Sequence, residues 1–241
     1  LERLKAGELI QSKIKDLVAP GVLDSLTRLV LANAIYFYGD WMKKFEPNLT
    51  SETAFFGSAG EGVVQMMGQR GTFRYGEWNG LQAIELPYTG DGVSMLVLLP
   101  AAQDGLAAVE GSLSGENLET WMSGLAETEV DLFLPRFELS SAFRLDDALK
   151  NLGMVDAFSQ QADFSGMNGM QDLFISAALH KAFISVNEEG TEAAAASAVV
   201  MTLKSVQFPA VVFRADHPFL FLIREKTTGC ILFMGRFTDP A

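Results

Sequence analysis

The amino-acid sequence points to an α+β chain built mainly from antiparallel strands, and three stretches carry that expectation. Between residues 72 and 99 the text is β throughout. Phe73 and Tyr75 alternate with polar neighbours, and apolar runs at 81–86 and 93–99 are joined by the turn-rich Pro87-Tyr88-Thr89-Gly90-Asp91-Gly92. Residues 219–223 and 231–237 repeat the pattern across Glu225-Lys226-Thr227-Thr228-Gly229. Helical periodicity, by contrast, is confined to short segments that would flank the strands.

In chain order, Leu9, Ile10, Ile14 and Leu17 fall near helical spacing and predict a first helix, which Pro20-Gly21 ends. Residues 29–38 form a nearly unbroken apolar run, β-branched and aromatic, interrupted by one amide, Asn33. That pattern predicts a strand buried on both faces. Residues 106–125 predict a helix in two pieces, broken near 111–115, and residues 130–137 return to strand. Leu145, Leu149 and Leu152 mark a short amphipathic helix stopped by Gly153. Residues 179–186 alternate, with His180, Ala182, Ile184 and Val186 on one face and Lys181, Phe183 and Ser185 on the other. No internal repeat and no linker interrupts the chain, so residues 1–241 read as a single domain.

Composition narrows the function classes. The 241 residues are 49% hydrophobic and 20% charged, which is ordinary globular usage. No apolar run approaches the roughly 18 residues of a membrane-spanning helix. The net charge of −12 repels nucleic acid and anionic lipid in the mean field, so neither is expected as a partner. A single cysteine, Cys230, excludes an internal disulfide and multi-cysteine metal patterns. With two histidines, His180 and His217, few ways remain to build a metal site or a general base, and no metal or cofactor is expected. No signal peptide is visible at Leu1.

Enzyme signatures fare poorly. The chain holds no Gly-x-Ser-x-Gly elbow, Walker loop, His-Glu-x-x-His or Gly-x-Gly-x-x-Gly. The acidic pairs Asp146-Asp147 and Glu188-Glu189 read as solvated faces, Met66-Met67 as core filler, and Cys230 as a buried inert thiol. Asn48-Leu49-Thr50 fits a glycosylation sequon, a pattern frequent by chance.

Residues 187–212 fit none of these elements. A stretch of that length inside a compact domain is usually functional or disordered. Local sequence leaves two readings open. One is a short alanine-rich helix capped by Thr191. The other is a segment able to become a strand, with Thr191, Ala193, Ala195 and Ser197 on one face and Glu192, Ala194, Ala196 and Ala198 on the other. Small side chains would let such a strand slide between existing strands, and Gly190 tolerates the dihedrals of a hinge.

The run Glu188-Glu189-Gly190-Thr191-Glu192-Ala193-Ala194-Ala195-Ala196-Ser197 resembles the hinge of the serpins, the serine protease inhibitor family. Phe213-Arg214-Ala215-Asp216-His217-Pro218-Phe219-Leu220-Phe221 and Leu232-Phe233-Met234-Gly235-Arg236 resemble that family's closing signature. Leu29-Val30-Leu31-Ala32-Asn33-Ala34-Ile35-Tyr36-Phe37, followed by Gly39 and Trp41, resembles the third strand of its main sheet, and Leu179-His180-Lys181-Ala182 the fifth. Phe164-Ser165-Gly166-Met167 looks like a further structural signature.

The resemblance implies the C-terminal part of a serpin fold, with flanking helices and a reactive-centre loop at about 188–212. Nothing in the chain corresponds to the front portion: the first helices, the first two strands of the main sheet and the region where some members bind heparin. A fragment is therefore expected, with an apolar sheet edge left uncovered. The full-length form is expected to be a monomer in an extracellular or periplasmic setting.

The implied function is not enzymatic. It is irreversible, suicide-substrate inhibition of a serine protease through cleavage and insertion of the loop. The alternatives are a non-inhibitory serpin-fold protein acting in binding or chaperoning, and an inert fragment. Counting forward from Gly190 by the family's spacing puts the reactive bond at Lys204-Ser205; counting back from Pro218 puts it at Gln207-Phe208. Lys204 suits a trypsin-like protease, and Met201 or Leu203 a chymotrypsin- or elastase-like one. Asn33 and His180 match the family's shutter, and Trp41 its breach, where the hinge first enters the sheet.

Overall fold

The computed structural model of the chain describes Val18, Gly21 and residues 23–191 and 210–240. The expected first helix, at Leu9, Ile10, Ile14 and Leu17, lies outside them.

In chain order the strands are β1 (Leu29–Tyr36), β2 (Gly39–Asp40), β3 (Ser51–Gly57), β4 (Gly60–Trp78), β5 (Leu81–Pro87), β6 (Val93–Pro100), β7 (Ala126–Pro135), β8 (Phe137–Arg144), β9 (Ile175–Val186), β10 (Gly190–Thr191), β11 (Val211–Arg214), β12 (Phe219–Glu225) and β13 (Ile231–Phe237). The helices are short: α1 (Leu106–Ser112), α2 (Gly115–Gly124), α3 (Asp146–Asn151) and α4 (Ser165–Asn168). The chain divides into two units, Leu1–Phe37 with Glu138–Ile184, and Tyr38–Phe137 with Ser185–Ala241.

The first unit is organised on a sheet of order β1-β9-β8. β1 and β9 run parallel, with Asn33 opposite His180. Among the described residues β1 has one hydrogen-bonded neighbour, β9, and its centre is open: Leu31, Ala32 and Asn33 are exposed, Leu31 by 43%. The expectation of burial on both faces fails for this reason, since a strand at the end of a sheet keeps one edge free. Among the described residues no strand pairs with the other edge of β1. α3 ends near Gly153 as the text predicts, but Leu152 is 84% exposed and takes no part in a buried stripe.

The second unit is built on a larger sheet, β11-β7-β4-β5-β6-β12-β13, with β3 added on β4. Its central strands β5, β6 and β12 carry near-continuous apolar text and are buried along most of their length. α1 and α2 lie over one face, where Leu81, Ala83, Leu96, Leu98, Leu220 and Leu222 pack with Leu106, Val109, Trp121 and Leu125. Each buried leucine among them contributes roughly 1.5–3 kcal/mol. The break between the helices falls at Leu113-Ser114, and Ser114 caps α2 by accepting from the Asn117 N–H. An aromatic cluster of Phe55, Phe137, Phe219, Phe221 and Phe237 adds a second centre, with centroids such as Phe55–Phe237 5.0 Å apart.

Three boundaries differ from the sequence reading in ways that matter for the site. The hairpin of β3 and β4 begins well before residue 72. The strand expected at 130–137 is two, divided at Arg136, whose N–H still follows the register of β7 on β4 and donates to the Gln65 carbonyl at 2.8 Å. And the ends of the expected loop are strands: Gly190–Thr191 pairs antiparallel with β2, while Val211–Arg214 pairs parallel with β7.

Candidate functional site

The chain leaving β9 is clamped before it reaches the alanine run. Asn187 and Gly190 close a tight turn through their own backbone groups, and Glu189 N–H donates to Asn187 Oδ1 at 3.0 Å. β10 then lies on β2, with Gly190 opposite Asp40 and Thr191 opposite Gly39. Gly190 is needed twice over. Its φ is +146°, and a Cβ there would collide with the Gly39 carbonyl and sit 2.6 Å from Asp40 Cα and 2.7 Å from Trp41 N.

Trp41 is the centre of the clamp. Its backbone N–H donates to the Glu189 carbonyl at 2.8 Å, and its indole N–H donates to the Asn187 carbonyl at 2.9 Å. The ring is 2% exposed, stacked on Tyr88 at 4.5 Å and met edge-on by Phe45 at 6.4 Å. Phe45 N–H in turn donates to the Glu188 carbonyl at 2.8 Å. Three consecutive carbonyls, from Asn187 to Glu189, are thus held by the short segment 41–45.

Charge completes it. Glu188 is buried. Thr50 Oγ1 donates to its Oε1 at 2.8 Å, and Arg136 Nη1 lies 4.0 Å from its Oε2. Lys44 Nζ reaches Glu189 Oε2 at 3.5 Å. The reading of Glu188-Glu189 as a solvated face is therefore corrected: Glu188 turns inward because a hydroxyl donor and a guanidinium are there to receive it. Asp146 needs the same correction. It is buried, paired with Arg144, and accepts from the Ala178 N–H, while Asp147 alone is solvated.

The structure brings Asn33 and His180 together. Asn33 Nδ2 and His180 Nδ1 lie 3.1 Å apart, within hydrogen-bond distance. The His180 ring also meets Phe143 at 5.1 Å. Of the remaining predicted positions, only the backbone of Thr191 is described. Glu192, Ala193, Ala194, Ala195, Ala196 and Ser197 lie outside the described residues, as do Lys204, Ser205, Gln207 and Phe208.

The other histidine does not support a catalytic triad. His217 is buried, with Nδ1 2.8 Å from Asp216 Oδ1 and Nε2 2.7 Å from the Pro100 carbonyl, so neither ring nitrogen is left to activate a nucleophile. Cys230 is exposed, not buried, because it lies just before β13, the outer strand of its sheet. Met66 and Met67 are buried core residues, as expected. Among the described residues no group of three or more His, Cys, Asp or Glu is placed to hold a metal ion.

Thr50, Tyr88, Arg136 and Asn187 are parts of the clamp that the sequence reading did not single out. Only Asn187 carries a local signal, an Asx turn before a glycine.

Comparison with known proteins shows the family to which this fold belongs. The family model described as Serpin (serine protease inhibitor) matches residues 7–240. Serpin B3 of Homo sapiens is 46% identical over 233 residues, covering 95% of this chain and 60% of that protein. Antithrombin-III of Mus musculus is 42% identical over 235 residues, covering 95% and 50%, and leukocyte elastase inhibitor of Homo sapiens is 44% identical over 240 residues, covering 95% and 63%. The chain therefore spans about half to two-thirds of the length of these relatives. Among solved structures, uncleaved ovalbumin is similar with a TM-score of 0.86 at 34% identity, covering 99% of this chain and 65% of that one. Serpin48, a highly specific serpin of the insect Tenebrio molitor, gives 0.83 at 34% identity, covering 100% and 64%.

Proposed function

The chain belongs to the serpin family, and from that premise we propose that the full-length protein is an irreversible, suicide-substrate inhibitor of serine proteases. The observation that carries the reading is the junction at Gly190. A backbone clamped through Asn187, Glu188 and Glu189 passes directly into Thr191-Glu192-Ala193-Ala194-Ala195-Ala196-Ser197. A fixed anchor followed by small side chains suits an arm that is held outside and can later be drawn in.

In this reading the protease serine attacks the carbonyl of the scissile residue and forms an acyl-enzyme. The amine of the following residue leaves, and the severed hinge inserts as a new strand. β9 and the hinge that follows it are consecutive in the chain, so the inserted arm runs antiparallel to β9. It fits between β9 and β1, which are parallel to each other and here paired directly. Insertion must part that ladder, including the Asn33–His180 bond. The tethered protease is carried along, its oxyanion hole and triad are distorted, and the ester is not hydrolysed. The chemistry is the protease's own; the inhibitor supplies stored free energy.

The reactive bond is assigned to Lys204-Ser205, with Gln207-Phe208 as the alternative, and Lys204 favours a trypsin-like target. Incubating the full-length protein with trypsin, subtilisin and elastase tests this. The expected result is a covalent complex stable in denaturing electrophoresis, with a released C-terminal peptide beginning at Ser205. A peptide beginning at Phe208 moves the bond to Gln207. Clean turnover of the loop with no complex supports the other reading, a serpin-fold protein that binds or chaperones without inhibiting.

A further inference from the structure

We propose that His217 carries a proton on each ring nitrogen and, as an imidazolium bridging Asp216 to the end of β6, forms a pH-sensitive latch on the end of β11. The ring is buried within the second unit. Its Nδ1 lies 2.8 Å from Asp216 Oδ1, and its Nε2 lies 2.7 Å from the Pro100 carbonyl oxygen.

A neutral imidazole has one N–H to give, and both of these partners accept. A carbonyl oxygen never donates, so Nε2 must carry a proton. A carboxyl group donates only when it is itself protonated, and the Arg214 guanidinium, with Nε 3.5 Å from Asp216 Oδ2, opposes that form. Nδ1 therefore carries the second proton.

The charges on the surrounding elements allow a cation here. Among the described residues Asp216 is the one charged group within ion-pair reach of the ring. β11 contributes Arg214, which faces the far oxygen of Asp216, and β3 reaches the corner through the Phe56 N–H. A groove beside Pro218 is lined by Glu61 of β4, Asp104, Glu110 of α1 and Arg236 of β13. Arg236 is paired with Glu110 at 3.0 Å, so the balance on that side is negative.

The latch gathers four strands. Ala215 N–H donates to the Phe133 carbonyl of β7 at 2.9 Å, and Phe56 N–H of β3 donates to the Asp216 carbonyl at 2.8 Å. His217 adds the link to β6. Removing one ring proton leaves one acceptor facing a lone pair. The bond to the carboxylate is the stronger, so the Pro100 carbonyl is the one abandoned, buried and without a donor. The latch is thus closed at low pH and opens as pH rises. β11 is the strand that follows residues 192–209, so this step loosens the strand to which that segment leads. It does not depend on whether the segment inhibits a protease.

Nitrogen-15 NMR of the full-length protein between about pH 5 and 9 tests the latch, with the His217 ring signals assigned through its own backbone. Both ring nitrogens are expected to be protonated at the low end, and one to lose its proton within the range. Amide protection factors at Ala215 and Phe56 should fall about three- to tenfold with the same midpoint. Asp216→Asn, which keeps the shape and removes the carboxylate, should move that midpoint to lower pH. A ring that stays singly protonated throughout, or doubly protonated throughout, would overturn the proposal. So would amide protection that ignores the ring's titration, or a midpoint that Asp216→Asn leaves in place.

Discussion

The indole N–H of Trp41 donates to the backbone carbonyl of Asn187 at 2.9 Å, joining a buried aromatic to the residue where the chain leaves β9. Trp41→Phe keeps the stacking on Tyr88 and removes this donor. The expected loss is about 1 kcal/mol, the net worth of one hydrogen bond. Trp41→Ala also empties the space against Tyr88 and Phe45 and should cost about 3–5 kcal/mol. Urea unfolding of the two variants of the full-length protein separates bonding from packing. Equal losses would mean that the packing against Tyr88 and Phe45 contributes nothing, and an unchanged stability in Trp41→Phe would mean the same of the hydrogen bond.

Gly190→Ala should open the junction of β10 with β2. The φ of +146° is unfavourable for any residue with a Cβ, and the backbone of Gly39, Asp40 and Trp41 occupies the space a methyl group would need. Backbone cannot rotate aside as a side chain can. Amide hydrogen exchange should quicken at Trp41 and Phe45, whose N–H groups are held by Glu189 and Glu188. Unchanged protection at both amides would show that the turn tolerates alanine.

Thr50 and Glu188 should be energetically coupled. The hydroxyl donates to a buried carboxylate at 2.8 Å, and hydrogen bonds to charged groups are the stronger kind. A double-mutant cycle with Thr50→Val and Glu188→Gln should give a coupling of about 1–2 kcal/mol. Arg136, half exposed and 4.0 Å away, should contribute less. A larger loss from Arg136→Gln than from Thr50→Val would reverse that order.

How much of this was legible follows from the kind of signal each part leaves. The strand pairs of the second unit were visible because a buried antiparallel ladder forces apolar text, as at β5, β6 and β12. The hairpin of β3 and β4 was passed over. Its turn is Gly57-Ser58-Ala59-Gly60, and β4 carries Gly62, Gly68 and Gly71, which dilute the pattern of a strand. The hinge was named through the family resemblance, since local sequence left a short helix and a strand-forming segment both open, and residues 192–197 lie outside the described residues. The clamp was not. It works on backbone carbonyls, which look alike at every residue, and its donors at Trp41, Phe45 and Thr50 become neighbours of residues 187–189 only through folding. Exposure of Cys230 and Leu31 was misread because each sits in apolar text whose strand lies at the end of a sheet.

Glu225 should titrate far below an ordinary glutamate. Its carboxylate accepts from the Thr228 hydroxyl at 2.5 Å and from the N–H groups of Thr228 and Thr227 at 2.6 and 2.8 Å, and these hold its pKa down to about 2. A depressed pKa means that the turn between β12 and β13 is supported at pH values above the ordinary glutamate range, and that the support is lost as pH falls toward 2. A carboxyl carbon-13 titration should find the midpoint near 2. In Thr228→Val, which keeps the backbone donors and removes the hydroxyl, the midpoint should rise part of the way back. An unmoved midpoint would assign the effect to the backbone alone.

The alanine run should decide whether a protease is trapped or merely fed. In the proposed mechanism two events compete after cleavage, insertion of the severed arm and hydrolysis of the acyl-enzyme. If Thr191, Ala193, Ala195 and Ser197 share the face that enters the sheet, then a long charged side chain at one of them must be desolvated or must splay the strands, and either slows insertion. Hydrolysis does not depend on that face, so it proceeds at its usual rate and wins. Thr191→Arg or Ala195→Glu in the full-length protein should therefore shift the products with trypsin from covalent complex to cleaved protein, while cleavage still occurs at the same bond. Ala194→Glu, on the opposite face, should shift them less. A full yield of complex with Ala195→Glu would sink the insertion reading. So would a cleaved full-length protein that melts no higher than the intact one, because an arm that has entered a sheet must add stability.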